Sequence, residues 1–329
     1  MAEAMTKTHH VDLANTGFLL ASAALAILAP LETFLFAYAV LGPLHYLTEI
    51  SWLHDRRYFS QSRLDPVVLI TLTGAALVIP AFGGGTMVAG LMLALALLYA
   101  LTAAYIPANL KNRWLLALIA FPLATLCIYA MPYGTLVFAV LLPTYIHVFL
   151  FTTLFMLFGA LKAASRVGLL NVAIHVAIML FLFIGSTHLP HTQALAVWSE
   201  QAFEPFLAVN RTILEVWHDI EFPGYAVISS PEGQALLRFM AFAYLYHYLN
   251  WFSKTSIIGW HKISPRRHYA IITLWLAAVG IYLYDYLTGF YVLLALSLLH
   301  VVLEFPLNHR SFFGILGHVT AGRGLFKNS

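Results

Sequence analysis

Residues 41–59 read LGPLHYLTEISWLHDRRYF, which places a histidine and a glutamate four positions apart inside an apolar run that closes on two arginines. Near the other end of the chain, residues 298–313 read LLHVVLEFPLNHRSFF. Both stretches are H-x3-E-x4-H followed by arginine and aromatics: His45, Glu49 and His54 in the first, His300, Glu304 and His309 in the second. On a helix, residues four apart share one face, so each copy sets an imidazole beside a carboxylate. Two such pairs facing each other make a metal site.

The surrounding composition decides the class of fold. The 329 residues are 61% apolar and 9% charged, against about a quarter charged in a soluble domain, and the mean hydropathy is +0.83. These values describe an integral membrane protein. Runs of the length a bilayer demands, where each backbone polar group must be satisfied within its own helix, fall near residues 14–30, 32–54, 66–82, 87–106, 114–131, 134–158, 167–187, 234–253, 269–287 and 289–308. The expectation is an all-α, polytopic bundle of about ten transmembrane helices forming one domain over residues 1–329. Pro30 joins the first two runs almost without a loop, which makes nine spans the alternative, and Pro43 is expected to kink the second.

Every even-numbered run exits into a basic segment: Arg56, Arg57 and Arg63; Lys111 and Arg113; Lys162 and Arg166; Lys254, Lys262, Arg266 and Arg267; Arg310, Arg323 and Lys327. The opposite turns, APLE, FGGG, MPYG and LTG, are almost uncharged. The positive-inside rule then puts both termini and the 309–329 tail in the cytoplasm. Residues 187–233 form a long acidic connection on the other side, within which Ser199–Trp217 is expected to be an amphipathic surface helix and PGYAVISSPEG an irregular loop. His188, His191 and His218 are expected to be solvated there, and His9 and His10 to lie in an N-terminal tail. The start of the chain shows no basic region leading to a cleavage motif, so no removable signal peptide is expected. The expected location is the inner cell membrane.

Several classes of function are excluded. A net charge of +3 with no polybasic arm argues against a nucleic-acid partner, and a single cysteine, Cys127, rules out a disulfide framework or a thiolate-rich metal centre. Gly83–Gly85 is followed by no lysine and reads as a turn rather than a phosphate loop.

Ionisable groups inside spans are expensive and face the bundle interior. His45 and Glu49, His147, His247, and His300 with Glu304 sit on the second, sixth, eighth and tenth runs, all in the cytoplasmic half under this topology. They are the candidate metal ligands, with His175, His54, His309, Asn250, Tyr46 and Tyr248 as further ligands or as hydrogen-bonding support. Imidazole with carboxylate suits iron, zinc or manganese, and Glu and His at helical spacing on four helices is how di-iron carboxylate sites are built. The count allows one ion or two.

The segment AVLGPLHYLTE, residues 39–49, resembles the glycine-proline-histidine-acid segment of the bacterial and archaeal Brp/Blh family of membrane β-carotene 15,15'-dioxygenases. Gly42, Pro43, His45 and Glu49 carry the resemblance, with the proline displaced and glutamate in place of aspartate. The resemblance implies a polytopic, iron-dependent protein that cleaves a carotenoid, with His45, and Glu49 less directly, as ligands. The function expected from the residues together is a membrane non-haem iron oxygenase or desaturase. Its substrate would be lipid-soluble, such as a carotenoid, fatty chain or other isoprenoid. Its co-substrate would be molecular oxygen, with an electron donor and the membrane lipids as partners. The alternatives are a metal or proton transporter, a haem-binding membrane protein, and a structural protein using the same groups as helix glue. Single cysteines introduced in the 254–266 loop and the 195–230 loop are expected to be labelled from opposite sides of the membrane; labelling of both from one side would contradict this topology.

Overall fold

Apolar runs this long satisfy their backbone only by coiling on themselves, and they do. In the computed structural model, which describes residues 2–58, 62–83, 85–105, 110–130, 133–218, 221–224 and 226–320, no strand occurs among the described residues. Each run is helical. The chain passes from Ala2–Leu28 to Pro30–Phe36, which continues through Ala37–Leu41 into Gly42–Asp55. Asp65–Ala81, Thr86–Tyr105 and Leu110–Tyr129 follow, then Gly134–Leu136, which runs on through Val137–Phe151 into Thr152–Ala163. Arg166–Ile184, Pro231–Ser253, Pro265–Tyr284 and Tyr286–Thr320 complete the set. Five stretches, His9–Leu28, Thr86–Tyr105, Gly134–Ala163, Arg166–His188 and Tyr286–Thr320, are long and apolar enough to cross a membrane, consistent with a membrane protein. The side chains of Lys111 and Arg113, and residues Asp219, Arg323 and Lys327 with the rest of the 321–329 tail, lie outside the described residues.

The chain divides into two compact units. The described parts of Met1–His45 and Phe155–Leu293 make the first, and those of Tyr46–Leu154 and Leu294–Thr320 the second. At the centre of the first is Pro231–Ser253, buried along nearly its whole length and packed against Ala2–Leu28, Pro30–Phe36 and Arg166–Ile184. Side-chain bonds tie the N-terminal helix down: Asn171 Nδ2 donates to the Asp12 carbonyl at 2.7 Å, Thr16 Oγ1 to Asn171 Oδ1 at 2.7 Å, and Asn15 Nδ2 to Ser253 Oγ at 3.0 Å. These bonds are why the expected tail is not one; His9 and His10 belong to the first helix.

The acidic connection is also more ordered than its composition announces. The single helix expected over Ser199–Trp217 is broken into Val197–Phe203, a 3-10 turn Glu204–Phe206, and Leu207–His218. Pro205 stands at the start of that turn, where its missing N–H and fixed φ end the first segment and begin the next. Phe206 from the turn meets Phe34, Tyr38 and Phe290 edge-on, with ring centroids 4.9, 4.7 and 5.0 Å away. Glu32 Oε1 accepts from Leu195 N and Ser199 Oγ, both at 2.7 Å. The PGYAVISSPEG loop contains a helical turn, Ala226–Ser229, and Ser230 then caps the following helix by accepting from Gly233 N at 3.0 Å. Arg238, buried on that helix, donates to the carbonyls of Ser186 and Pro190 at 2.8 and 2.5 Å and holds the start of the connection in place. His188, His191 and His218 are exposed.

In the second unit Thr86–Tyr105 packs against Asp65–Ala81 and Leu110–Tyr129. Its buried alanines, Ala94, Ala96, Ala100, Ala103 and Ala104, allow the close backbone approach on which helix association in apolar surroundings depends. Val301, Val302 and Leu303 enter one core with Leu53, Leu69, Leu97 and Leu142.

One glycine sets how tightly a turn closes. A Cβ at Gly289 would stand 2.2 Å from the Tyr282 Cα, so only glycine lets the helices before and after Asp285 fold back there. Gly289→Ala is expected to destabilise the protein by about 1–3 kcal/mol, as overpacking does, seen as a lower unfolding midpoint in detergent. Gly280→Ala, where nothing lies within 4 Å, is expected to leave the midpoint unchanged or raise it.

Candidate metal centre

In the second unit, residues 300–304 of the Tyr286–Thr320 helix are all buried. His300 and Glu304, four residues apart, share one face of it. His300 Nε2 lies 3.5 Å from Glu304 Oε2 and 3.1 Å from Glu49 Oε2, and His147 Nε2 lies 3.4 Å from Glu304 Oε2. The histidine of the second sequence repeat thus meets the glutamate of the first. All four residues are at most 3% exposed.

The separations discriminate between two kinds of contact. Hydrogen bonds from N–H to oxygen run about 2.7–3.2 Å, so His300 to Glu49 fits one, while the two contacts to Glu304 are too long. Glu304 Oε2 is buried and has no hydrogen-bond partner among the described residues. Ligands bound to one ion at about 2.0–2.2 Å stand about 2.8–3.1 Å apart at right angles and about 3.3–3.6 Å apart at the tetrahedral angle. The observed 3.1, 3.4 and 3.5 Å fall in those two ranges. The ligand atoms of His147, His300 and Glu304 all lie within 4.8 Å of one another and are able to hold a metal ion.

In the first unit, His45 and His247 present their Nε2 atoms to each other at 3.0 Å, with ring planes 79° apart. This is the separation of adjacent ligands on an ion as well as that of an N–H to N hydrogen bond. Aromatic rings surround the pair: Tyr248 at 5.0 Å and Trp251 at 5.5 Å from the His45 ring centre, and Tyr248 at 5.3 Å from that of His247. Asn250 is buried one turn from His247, and its carbonyl accepts from Ser253 Oγ at 2.8 Å.

The other candidates separate clearly. Tyr46 lies against the His300 ring, with centroids 5.0 Å apart. His175 is buried in the first unit against Phe242 and Tyr246, at 5.7 and 5.2 Å between centroids. His54 is exposed, and His309 Nδ1 pairs with the Tyr105 hydroxyl at 2.7 Å, so neither of the histidines that end the two repeats joins the cluster.

How His45 and His147 are aimed depends on backbone geometry that the apolar pattern does not show. Ala37–Leu41, just before Pro43 and His45, is π-helical, with the Gly42 N–H donating to the Ala37 carbonyl five residues back. Val137–Phe151, which carries Pro143 and His147, is also π-helical. A proline has no N–H for the carbonyl four residues earlier and clashes with it. A π turn relieves both problems without ending the helix at Pro43. Trp275 Nε1 reinforces the first wide turn by donating to the Val40 carbonyl at 2.8 Å. The sequence signal was a proline two or four residues ahead of a buried histidine.

No protein-family model, curated protein or solved structure matches this chain.

Because a π-helical residue turns the chain through less than the roughly 100° of an α-helical one, a return of Val137–Phe151 to α geometry in Pro143→Ala is expected to turn His147 away from Glu304. The variant is expected to stay folded by circular dichroism while losing at least tenfold in cobalt(II) affinity; wild-type affinity would show that the π segment does not aim His147.

Proposed function

We propose that this chain is a membrane-embedded, non-haem metal oxidoreductase, an iron oxygenase or desaturase acting on a lipid-soluble chain such as a carotenoid, fatty chain or other isoprenoid. The observation that carries the reading is the contact set of His147, His300, Glu49 and Glu304, whose separations match ligand edges around an ion and include a buried carboxylate oxygen with no hydrogen bond. His147, His300 and Glu304 would hold one ion, with Glu49 beside them against His300. In the first unit His45 and His247 offer two further imidazoles of their own, and the proposed content of the chain is one or two ions. The mixed donor set favours iron, with zinc or manganese the competing occupants.

When bound, iron supplies binding and activation of molecular oxygen, with electrons from an external donor where the reaction needs them. The chain's own groups do the rest. Glu49 and Glu304 balance the charge of a divalent cation away from water, Tyr46 packs against His300, and the apolar helices give a greasy substrate access from the lipid. In this proposal ten helices cross the inner membrane, both termini are cytoplasmic, and the site lies in the cytoplasmic half. The clustering of intramembrane His and Glu in one half, without a matching ladder in the other, favours an enzyme over a transporter, which needs stations along a whole path.

Metal analysis of the purified wild type is expected to find one or two iron ions per chain. His300→Ala and Glu304→Gln should each lower occupancy at least tenfold, because the glutamate variant keeps its size and loses only its charge. A fully stable, metal-free wild type would end the proposal. Iron- and oxygen-dependent change in extracted lipids would support the enzyme; iron uptake into vesicles without lipid oxidation, or a Soret band, would replace it with a transporter or a haem protein.

A further inference from the structure

One turn beyond Glu304, on the same helix, stands Asn308. Positions 300, 304 and 308 follow one face, and because every Cα–Cβ bond leans toward the helix N-terminus, the Asn308 amide is carried back over the Glu304 turn. Asn308 is 4% exposed, and neither its Oδ1 nor its Nδ2 has a hydrogen-bond partner among the described residues. Its polar neighbours in sequence are engaged elsewhere: His309 Nδ1 pairs with the Tyr105 hydroxyl at 2.7 Å, and Ser311 Oγ donates to the Leu307 carbonyl at 3.1 Å.

A buried carboxamide with both ends unsatisfied is a costly residue to keep in an apolar helix. Leucine has nearly the same shape and carries no such penalty. What the position offers is one acceptor and one donor, side by side, above a carboxylate. A ligand that fits must accept from Nδ2 and donate to Oδ1 or to Glu304, and must be small. Water has that chemistry.

We infer that Asn308 and Glu304 together form a buried solvent site, in which Asn308 holds a water molecule against the Glu304 carboxylate. The water oxygen accepts from Asn308 Nδ2–H, and its hydrogens are donated to Asn308 Oδ1 and to the carboxylate. Asn308 is then a positioning residue: it fixes the orientation of Glu304, as partners of ligating carboxylates do in metal sites, and brings solvent to the edge of the centre. This role in ligand orientation rests on the metal reading above, whereas the water site itself does not.

Two measurements separate the claims. In metal-depleted protein, Asn308→Leu removes the water's partner and is expected to lower the unfolding midpoint; a higher midpoint would show that the amide was dry and would overturn the site. In protein titrated with cobalt(II), Asn308→Leu is expected to bind about tenfold more weakly than wild type with a shifted visible spectrum, and Asn308→Ser, which keeps a hydroxyl for the same water, to recover most of both. Wild-type affinity and spectrum in Asn308→Leu would overturn the positioning role. Failure of the wild type to bind cobalt would instead remove the metal reading, leaving the midpoint comparison to judge the water site.

Discussion

Two glutamate carboxylates within 3.5 Å of one imidazole, all of them buried, set the terms for the second unit. Uncompensated charge in a low-dielectric interior costs several kcal/mol per ion, so carboxylates in such a place need a balancing cation or bound protons. A neutral His300 has at most one hydrogen at Nε2 for the two glutamate oxygens near it, and the two contacts to Glu304 are longer than hydrogen bonds. A divalent cation held by His147, His300 and Glu304 would satisfy the contacts to Glu304 without those hydrogens. The packing around the cluster reads as what is needed to hold it: aliphatic side chains from five helices fill the core that Val301, Val302 and Leu303 enter between His300 and Glu304, and an alanine-rich helix lets its neighbours close up.

The same economy of means shows in the backbone. Both prolines that precede a buried histidine, Pro43 and Pro143, are absorbed by π turns rather than by breaks. A π turn keeps the helix continuous while changing the face on which later residues emerge, and such turns recur at functional sites. Imidazoles on helices are normally restricted to the directions of a 3.6-residue repeat. The prolines widen that choice at the two helices where aiming matters.

Helix positions were legible because an apolar run leaves the backbone no other way to satisfy itself, and each of the ten runs is helical. The pairing of His300 with Glu304 was legible for an equally local reason, the four-residue offset. That His300 also meets Glu49 was foreshadowed by the repeat, since two copies at one depth invite such a contact. What the sequence hid depends on long-range partners or on backbone geometry. Pro205 splits a helix that the amphipathic pattern drew as continuous. Arg238 looks like a misplaced charge until the carbonyls of Ser186 and Pro190 are seen around it. Asn308 sits beside the more conspicuous His309 and Arg310, and only its burial without partners marks it.

X-ray absorption at the metal edge of the purified wild-type protein bears most directly on the central claim, that the His147, His300, Glu49 and Glu304 cluster is a metal centre. The account predicts a first shell of nitrogen and oxygen at about 2.0–2.2 Å, with the outer-shell scattering of more than one imidazole. A chain-equivalent metal bound by sulfur or by water alone, or no stoichiometric metal at all, would contradict it.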